Sequence, residues 1–425
     1  SARAHVTGQA KYVDDLWPRV AGVVHLWPVC IPHAHARIRA FELERARAAP
    51  GVVCVLTAAD VTGFNDVGPA RRDEPLFPEV VSFHGQAVLW VAAETEEQAR
   101  LAAALVEVDC EPLTAILSIE DAIAAQSFLF GPERLARGDA RGALCEARER
   151  LSGEIRVGGQ EHFYLETQAA LAWVDEAGSL FVHSSTQHPA ETQEVVARVL
   201  GLPRNEVVVQ CTRMGGAFGG KETQANAWAA VAALAAHKLG RPARVRLSRY
   251  HDMVLTGKRH PFLGKFEVGF DREGRLSALV LDLYSDGGWS LDLSAPVLFR
   301  AMFHADNCYL IENMSVTGHV CRTNMVSHTA FRGFGGPQGM IMIEDIIDRV
   351  ARQLDLPPHE VRRKNFYRPG DVSHYGQPIR DAERIERIWT ELGESSDFEA
   401  RWFEVERFNA QSRHAKRGLA ITPVK

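Results

Sequence analysis

Residues 213–222 have the sequence RMGGAFGGKE, with four glycines among ten residues. The β-branched run before them predicts a strand at Glu206–Cys211, and the Ala-rich run after them predicts a helix at Thr223–Leu239. A loop that opens a helix presents unpaired N–H groups and the positive end of the helix dipole, and glycines let a ligand approach that backbone closely. The stretch therefore predicts a strand–loop–helix unit that holds a negatively charged group.

Two other interpretations of this loop stay open, a phosphate-binding loop and a tight turn without a ligand. Gly215-x-x-x-x-Gly220-Lys221 matches the start of a phosphate loop, but Glu222 stands where such loops need Ser or Thr to hold magnesium. A carboxylate at that position would repel phosphates. A second segment, TAFRGFGGPQGM at residues 329–340, also places a Phe among glycines ahead of a predicted helix. Two such loops indicate a shared site with flat apolar walls.

Composition excludes several classes of protein. The 425 residues carry a net charge of -6, so no basic excess points to nucleic acid and no acidic block points to a disordered tail. No apolar run is long enough to span a bilayer, and charged residues interrupt any signal peptide. The opening SARAHVTGQA lacks an initiator Met, which indicates an internal cut in a longer protein. Seven scattered cysteines without a C-x-x-C pair favour a reducing cytoplasm and give no zinc or iron–sulfur spacing.

Periodicity predicts an α+β (mixed α/β) chain in two parts. Residues 1–130 alternate strand and helix signals, residues 131–157 are charged and predict a linker, and residues 158–425 form a second domain. In the first part the predicted strands are Gly22–Cys30, Ala36–Leu43, Gly51–Leu56 and Ala87–Ala92, with a helix at Glu94–Val106 and an exposed loop at Gly63–Pro78. In the second part the further helices are Ala190–Leu200, Gly339–Leu354 and Pro358–Asn365, and the further strands are Ala243–Leu247, Gly264–Phe270 and Leu276–Tyr284.

An ordered set of motifs resembles the molybdenum-binding subunit of the xanthine dehydrogenases, in the xanthine oxidase family of molybdenum hydroxylases. The motifs are GGQEHFYLE (158–166), SSTQHP (184–189), RMGGAFGGKE, GKRHPF (257–262), TAFRGFGGPQGM and VRRKNFY (361–367). The resemblance covers essentially the whole chain. It implies that residues 1–130 are an α/β hammerhead domain and that the first part of a molybdopterin-binding region follows. It also implies that molybdenum is held by the dithiolene of molybdopterin, with no direct metal ligand from the protein.

The resemblance implies four cofactor-binding residues. Gln187 matches the glutamine that hydrogen-bonds an oxygen ligand of molybdenum, a task that suits a side-chain amide. Phe218 and Gly219 match the loop whose backbone N–H groups approach the metal's oxo group and the pterin, and Arg332 matches an arginine near both. Ala217 departs from the pattern, because the family usually has glycine there. A β-carbon is tolerable at that position only if the residue does not need a positive φ.

Three residues match the substrate site of the purine-binding members. Glu222 would hydrogen-bond the purine or favour one of its tautomers, and Arg300 would stabilise the enolate charge that develops at the other end of the ring. Phe334 would stack on the flat substrate. Without the resemblance, each residue type also has an ordinary interpretation. Glu222 suits a helix N-terminus, Arg300 a solvated surface, Phe334 a core, and Gln187 a surface loop.

The family pattern extends beyond Lys425 into a second molybdopterin-binding region, which carries the general-base glutamate. The resemblance therefore implies a large-subunit fragment of an enzyme that oxidises hypoxanthine and xanthine to xanthine and urate in purine catabolism. It also implies a partner with [2Fe–2S] centres and FAD, NAD as the electron acceptor, and a cytoplasmic hetero-oligomer. The alternatives are a molybdenum hydroxylase for another N-heterocycle or an aldehyde, and a non-catalytic scaffold that retains the fold.

Overall fold

Three β-sheets organise the chain in this computed structural model, which describes residues 2–425. The strands are β1 (Val24–Cys30), β2 (Ala36–Glu42), β3 (Val52–Leu56), β4 (Val80–Val81), β5 (Ala87–Ala93), β6 (Glu107–Pro112), β7 (Phe128–Arg137), β8 (Glu149–Val157), β9 (Ala169–Val174), β10 (Leu180–Ser184), β11 (Val207–Gln210), β12 (Ala243–Arg246), β13 (Phe262–Phe270), β14 (Leu276–Asp286) and β15 (Asn313–Cys321).

Helices cover the sheets and connect them. They are α1 (Ala2–Val6), α2 (Glu44–Arg47), α3 (Glu96–Ala103), α4 (Ile119–Ala124), α5 (Ala140–Glu146), α6 (Pro189–Leu200), α7 (Ala225–Leu239), α8 (Arg249–Leu255), α9 (Ser294–Phe303), α10 (Gly336–Leu354), α11 (Pro358–Lys364), α12 (Glu383–Ser395) and α13 (Phe398–Gln411). Within residues 2–425, no helix combines the length and the apolar character that crossing a bilayer requires.

The largest sheet joins strands from distant parts of the chain. Its seven strands run β11-β10-β9-β12-β1-β5-β3, so three strands from the first hundred residues pair with four from residues 169–246. β1 is parallel to β12 and antiparallel to β5. Helix α7 packs on this sheet and is buried over most of its length, because its many alanines allow close approach. A separate three-stranded sheet, β4-β2-β6, completes the N-terminal part.

The second core lies under α9 and α10. These helices cover a five-stranded sheet of order β7-β15-β14-β13-β8. Leu298 and Met302 of α9 and Ile343 of α10 are fully buried there. A β-carbon on Gly318 of β15 would lie 2.6 Å from the Met302 sulfur, so the helix rests directly on the strand. This packing fixes the position of α9 relative to the loop that opens α10.

The elements predicted from periodicity are present, and their ends are displaced by at most three residues. Residues 131–157, which were predicted to be a linker, instead form most of β7, all of α5 and all of β8. Their charged side chains alternate with less exposed ones, because each strand presents one face to solvent and the other to the protein. Leu144 of α5 is buried against Ala278 and Val280 of β14 in a small separate cluster, so this region is part of the five-stranded sheet and its packing.

The segment Gly63–Pro78 is irregular, as predicted, but it is not an exposed loop. Val67 and Phe77 are buried. The Gly63 N–H donates to Val199 O at 2.9 Å, and the next residue donates to Arg198 O, so the segment is attached to α6. The polar composition of the segment predicts a surface loop. In the structure, apolar residues at a few positions are buried and anchor the segment to the protein.

Candidate functional site

The first glycine-rich loop depends on positive φ angles at three positions. Gly216 and Gly219 have φ of 94° and 102°, and Phe218 between them has φ of 55°. Ala217 lies outside the left-handed region, so its β-carbon is accommodated and the departure from glycine does not disturb the loop. A left-handed phenylalanine costs of order 1–3 kcal/mol, and such strain persists only where the surroundings impose it.

The second loop repeats this conformation and contacts the first. Phe334 has φ of 50° between Gly333 at 100° and Gly335 at 98°. The Arg332 N–H donates to Phe218 O at 2.9 Å. A β-carbon on Gly219 would lie 2.6 Å from Ala330 O, so the two backbones touch. The two loops are therefore in contact, and the shared site with flat apolar walls stays a prediction.

The Gln187 side chain is oriented by the first loop. Its Oε1 accepts from the Gly219 N–H at 2.9 Å and from the Lys221 N–H at 3.3 Å. This network places the amide oxygen against the loop and leaves the NH₂ group as a donor on the other side. The Gly219 N–H is therefore used to hold Gln187. The Phe218 N–H has no hydrogen bond within residues 2–425 and remains free for a ligand.

Lys221 points away from the loop surface into the protein, which rules out the phosphate-loop interpretation. Its side chain is fully buried, and Nζ donates to Glu166 O at 2.7 Å and to Ser185 Oγ at 2.8 Å. Burial lowers the pKa of Lys221, and the nearby Glu166 carboxylate opposes that shift. The Glu166 carboxylate also accepts from the Gly215 N–H at 2.8 Å. Sequence reasoning did not assign Glu166 a function, although it lies within a quoted motif.

His162 contacts the backbone of both loops. A β-carbon on Gly220 would lie 2.8 Å from its ring, and its Nε2–H donates to Ala330 O at 2.8 Å. Burial lowers the pKa of His162 to about 4, so the ring is neutral at pH 7. Its role was not predicted, because a single histidine in a motif carries no signal of which backbone it meets.

This buried imidazole predicts that stability declines in mild acid. The neutral form is favoured in the fold, so the unfolded chain binds the proton more tightly below pH 6.5. The contribution of neutral His162 to the free energy of unfolding is complete above pH 6.5. It is lost between pH 6.5 and about 4, and the loss reaches roughly 3 kcal/mol. Thermal midpoints measured from pH 7.5 to 5 should fall less steeply for His162→Gln than for the unchanged protein. The exposed His414→Gln should leave the slope unchanged, and an equal slope in His162→Gln would contradict the prediction.

Glu222 and Arg300 both have unpaired charges. The Glu222 carboxylate is half-buried and has no hydrogen bond or ion pair within residues 2–425. Burial is the main cause that raises the pKa of Glu222, while neighbouring His188 lowers it and Glu191 raises it further. Arg300 is exposed on α9, and its guanidinium is likewise without a hydrogen bond or ion pair in the described chain. The two residues do not neutralise each other, so both are available to a ligand.

Two glycines allow α9 to pack closely against the second loop. A β-carbon on Gly335 would lie 2.0 Å from Val297 O, and one on Gly336 would lie 3.8 Å from Arg300 Nε. Arg300 is thereby placed beside the start of α10. Phe334 is half-buried against the second core, and the exposed Arg332 accepts a hydrogen bond at its carbonyl from Arg259 at 2.9 Å.

Protein side chains do not form a metal centre in this region. No group of three His, Cys, Asp or Glu side chains within residues 2–425 is placed to hold a metal ion. The region instead offers a free backbone N–H at Phe218 and an oriented amide at Gln187. These are donors for an anionic oxygen, and they fit a ligand that carries its own oxygen atoms.

Two family profiles match the chain. The molybdopterin cofactor-binding domain matches residues 124–366, and the aldehyde oxidase and xanthine dehydrogenase a/b hammerhead domain matches residues 7–114. Among curated proteins, xanthine dehydrogenase of Dictyostelium discoideum is 42% identical over 428 residues, and xanthine dehydrogenase/oxidase of Mus musculus is 44% identical over 427. Both alignments cover 100% of this chain but only 31% and 32% of the relatives, so the chain spans about a third of their length.

Solved structures agree in fold. The aldehyde oxidoreductase of Desulfovibrio gigas superposes with a TM-score of 0.87 at 29% identity, covering 97% of this chain and 47% of that one. The quinoline 2-oxidoreductase of Pseudomonas putida 86 superposes with a TM-score of 0.84 at 26% identity, covering 96% of this chain and 55% of that one.

Proposed function

Because this chain belongs to the xanthine dehydrogenase and aldehyde oxidase family of molybdenum hydroxylases, we propose that it forms part of an enzyme that oxidises hypoxanthine and xanthine. The choice of purines as substrates rests on one observation, the unpaired side-chain charges of Glu222 and Arg300 beside the two glycine loops. The hydroxylation product of xanthine in this reaction is urate.

Molybdenum–molybdopterin fits the donors at the loops. The Gln187 NH₂ group and the free Phe218 N–H would hold an oxygen ligand of the metal, and Arg332 would lie near the pterin. When bound, the cofactor supplies the two-electron oxidation and the oxygen transfer. Gly219 would act on the cofactor indirectly, because its N–H orients the Gln187 amide. The protein thus provides hydrogen bonds around the cofactor and leaves the metal to the pterin sulfurs.

Glu222 and Arg300 would hold opposite ends of the purine. The guanidinium would hydrogen-bond a purine carbonyl and stabilise negative charge that develops there during attack on the ring. The Glu222 carboxylate has no partner within the described residues, so it would accept a hydrogen bond from a ring N–H of the purine. Phe334, held in a strained conformation between two glycines, would stack on the ring and fix its plane.

The other redox centres are proposed to lie outside this chain. The relatives are about three times as long, and the seven cysteines here are free and make no iron–sulfur spacing. We therefore place [2Fe–2S] centres, FAD and the NAD site on a partner subunit or domain, and the general-base glutamate in the remaining molybdopterin-binding region. Free thiols favour the cytoplasm. We propose a hetero-oligomer because the chain spans only about a third of the length of its relatives. We propose a hammerhead domain at residues 1–130 followed by the first molybdopterin-binding region.

A second candidate is a hydroxylase for an aldehyde or another N-heterocycle. The structural neighbours favour it, since one is an aldehyde oxidoreductase and another a quinoline oxidoreductase. Their identities of 29% and 26% are lower than the 42% and 44% of the xanthine dehydrogenases. A non-catalytic scaffold is the third possibility, and the oriented Gln187 argues against it.

Steady-state rates of the full native complex on xanthine and on an aromatic aldehyde, with NAD as acceptor, test the proposal. Fast xanthine and poor aldehyde turnover would support it. The reverse would move the protein to the aldehyde-oxidising branch. A complex that contains molybdenum and oxidises neither compound would contradict both, and a complex without molybdenum would favour the scaffold.

A further inference from the structure

One buried carboxylate joins the elements that carry the proposed substrate contacts. Asp292 is 1% exposed, has φ of 40° and directly precedes the turn into α9. The Thr223 hydroxyl lies 3.0 Å from both of its oxygens, and the Thr329 hydroxyl donates to it at 3.0 Å. The Gln224 amide donates to it at 2.6 Å.

The three donors come from two other parts of the site. Thr223 and Gln224 follow Glu222 directly and lead into α7. Thr329 opens the second glycine loop, which contains Phe334. Asp292 itself leads into α9, which carries Arg300. The carboxylate therefore joins three backbone segments, and a contact of 3.2 Å between the Thr223 and Thr329 hydroxyls closes the network.

The segment that holds Asp292 is anchored from its other side. The Leu291 N–H donates to Asp73 at 3.0 Å, and the Ser290 hydroxyl donates to Glu74 at 2.8 Å. Burial and the neighbouring Asp292 carboxylate raise the pKa of Glu74 well above its ordinary value. Burial also raises the pKa of Asp292, to about 6, and the hydrogen bonds from Gln224, Thr223 and Thr329 oppose that shift. Asp292 has a left-handed φ, a strained conformation that persists only where surrounding contacts hold it.

We propose that Asp292 is a positioning residue that fixes the spacing between Glu222 and Arg300 and thereby sets the preference for purines over aldehydes. This inference rests on the proposed function. It goes beyond it because Asp292 touches neither the cofactor site nor the predicted substrate contacts. Its effect reaches the substrate through the backbone of three segments, so it should change purine binding more than the oxidation step.

Asp292→Asn in the full holo complex tests the inference. Asparagine keeps the size of the side chain but presents an NH₂ group to donors that need an acceptor. We expect kcat/KM for xanthine to fall at least roughly 10-fold, since a small misplacement of bound groups costs up to about 100-fold. The loss should lie mainly in KM, and kcat/KM for an aromatic aldehyde should stay within about 2-fold. Calorimetric titration with urate, a readout without turnover, should show a similar weakening of binding.

Asp306→Asn is the matched control. Asp306 is fully buried and accepts from the Tyr367 hydroxyl at 2.7 Å, but it lies beyond the other end of α9. It should lower stability without changing the xanthine-to-aldehyde ratio. If Asp292→Asn fails to assemble with molybdenum, Thr329→Val removes one hydrogen bond to Asp292 and should shift the same ratio, whereas Thr329→Ser should restore it.

The outcomes separate the two proposals. Equal losses on xanthine and aldehyde with unchanged molybdenum content would overturn the positioning role of Asp292. An unchanged substrate ratio in both Asp292→Asn and Thr329→Val would overturn it as well. An unmodified complex that does not oxidise xanthine would overturn the proposed function and, with it, this inference.

Discussion

Replacing Arg300 with methionine is expected to lower kcat/KM for xanthine by roughly 10- to 100-fold, because a charge-assisted hydrogen bond contributes about 1.5–3 kcal/mol. The Arg300 guanidinium makes no hydrogen bond or ion pair within residues 2–425, so its removal leaves no buried partner uncompensated. The fold should therefore be unaffected. Oxidation of a small aldehyde should be spared, since it has no second carbonyl for the guanidinium. Steady-state kinetics on both substrates measure the effect.

Two further variants define the cause of the loss. Arg300→Lys keeps the charge but not the planar fork, so it should recover only part of the xanthine activity. Arg272→Met removes an arginine that is 79% exposed at the side chain and, within residues 2–425, pairs only with Glu149, at 3.6 Å. It should behave like the unchanged protein. Equal losses of kcat/KM on xanthine and on the aldehyde in Arg300→Met would contradict the proposal that Arg300 orients the purine.

Replacing Gly219 with alanine is expected to separate the two glycine loops. Its φ is 102°, and the added β-carbon would lie 2.6 Å from Ala330 O, which is backbone and cannot rotate away. The displacement would also break the Gly219 N–H bond that orients Gln187. We expect the complex to lose most of its molybdenum and, with it, at least roughly 100-fold in activity on any substrate. Metal analysis and rates per molybdenum distinguish loss of cofactor from loss of geometry.

Gly178→Ala is the matched control for backbone strain. Gly178 has a φ of 86°, and a β-carbon there would meet nothing within 4 Å. This variant should lose about 1 kcal/mol of stability from the left-handed conformation and keep its molybdenum. If Gly219→Ala behaved in the same way, the close contact between the loops would not be needed to hold the cofactor.

Local sequence signals located most of the elements and both loops. The alternation of strands and the Ala-rich helix were predicted to within a few residues, because side-chain periodicity depends only on neighbours in the chain. The glycine clusters predicted a close approach, and the structure has positive φ at Gly216, Gly219, Gly333 and Gly335. The family resemblance identified Glu222, Arg300 and Phe334 as candidates, and they remain proposals until the variants are tested.

The errors have one physical origin. Charged strands at residues 131–157 resemble a linker when their partners in the sheet are unknown. Lys221 has the spacing of a phosphate-binding lysine, yet its direction is set by Glu166 and Ser185, which are distant in sequence. Asp292 carries no local signal, because its three donors come from segments up to 69 residues away.

The sequence by itself determined where this chain makes strands, helices and glycine loops, and which family its motifs resemble. The strands, helices and loops follow from backbone freedom and side-chain periodicity, which act over a few residues, whereas the family was identified by the resemblance of its motifs. Only the tertiary structure decided which polar groups are already bonded and which are free. Gly219 and Lys221 are engaged by the protein, whereas Phe218 N–H, Glu222 and Arg300 are not. That distinction depends on contacts between distant segments, and it is the distinction that separates structural residues from those available to a ligand.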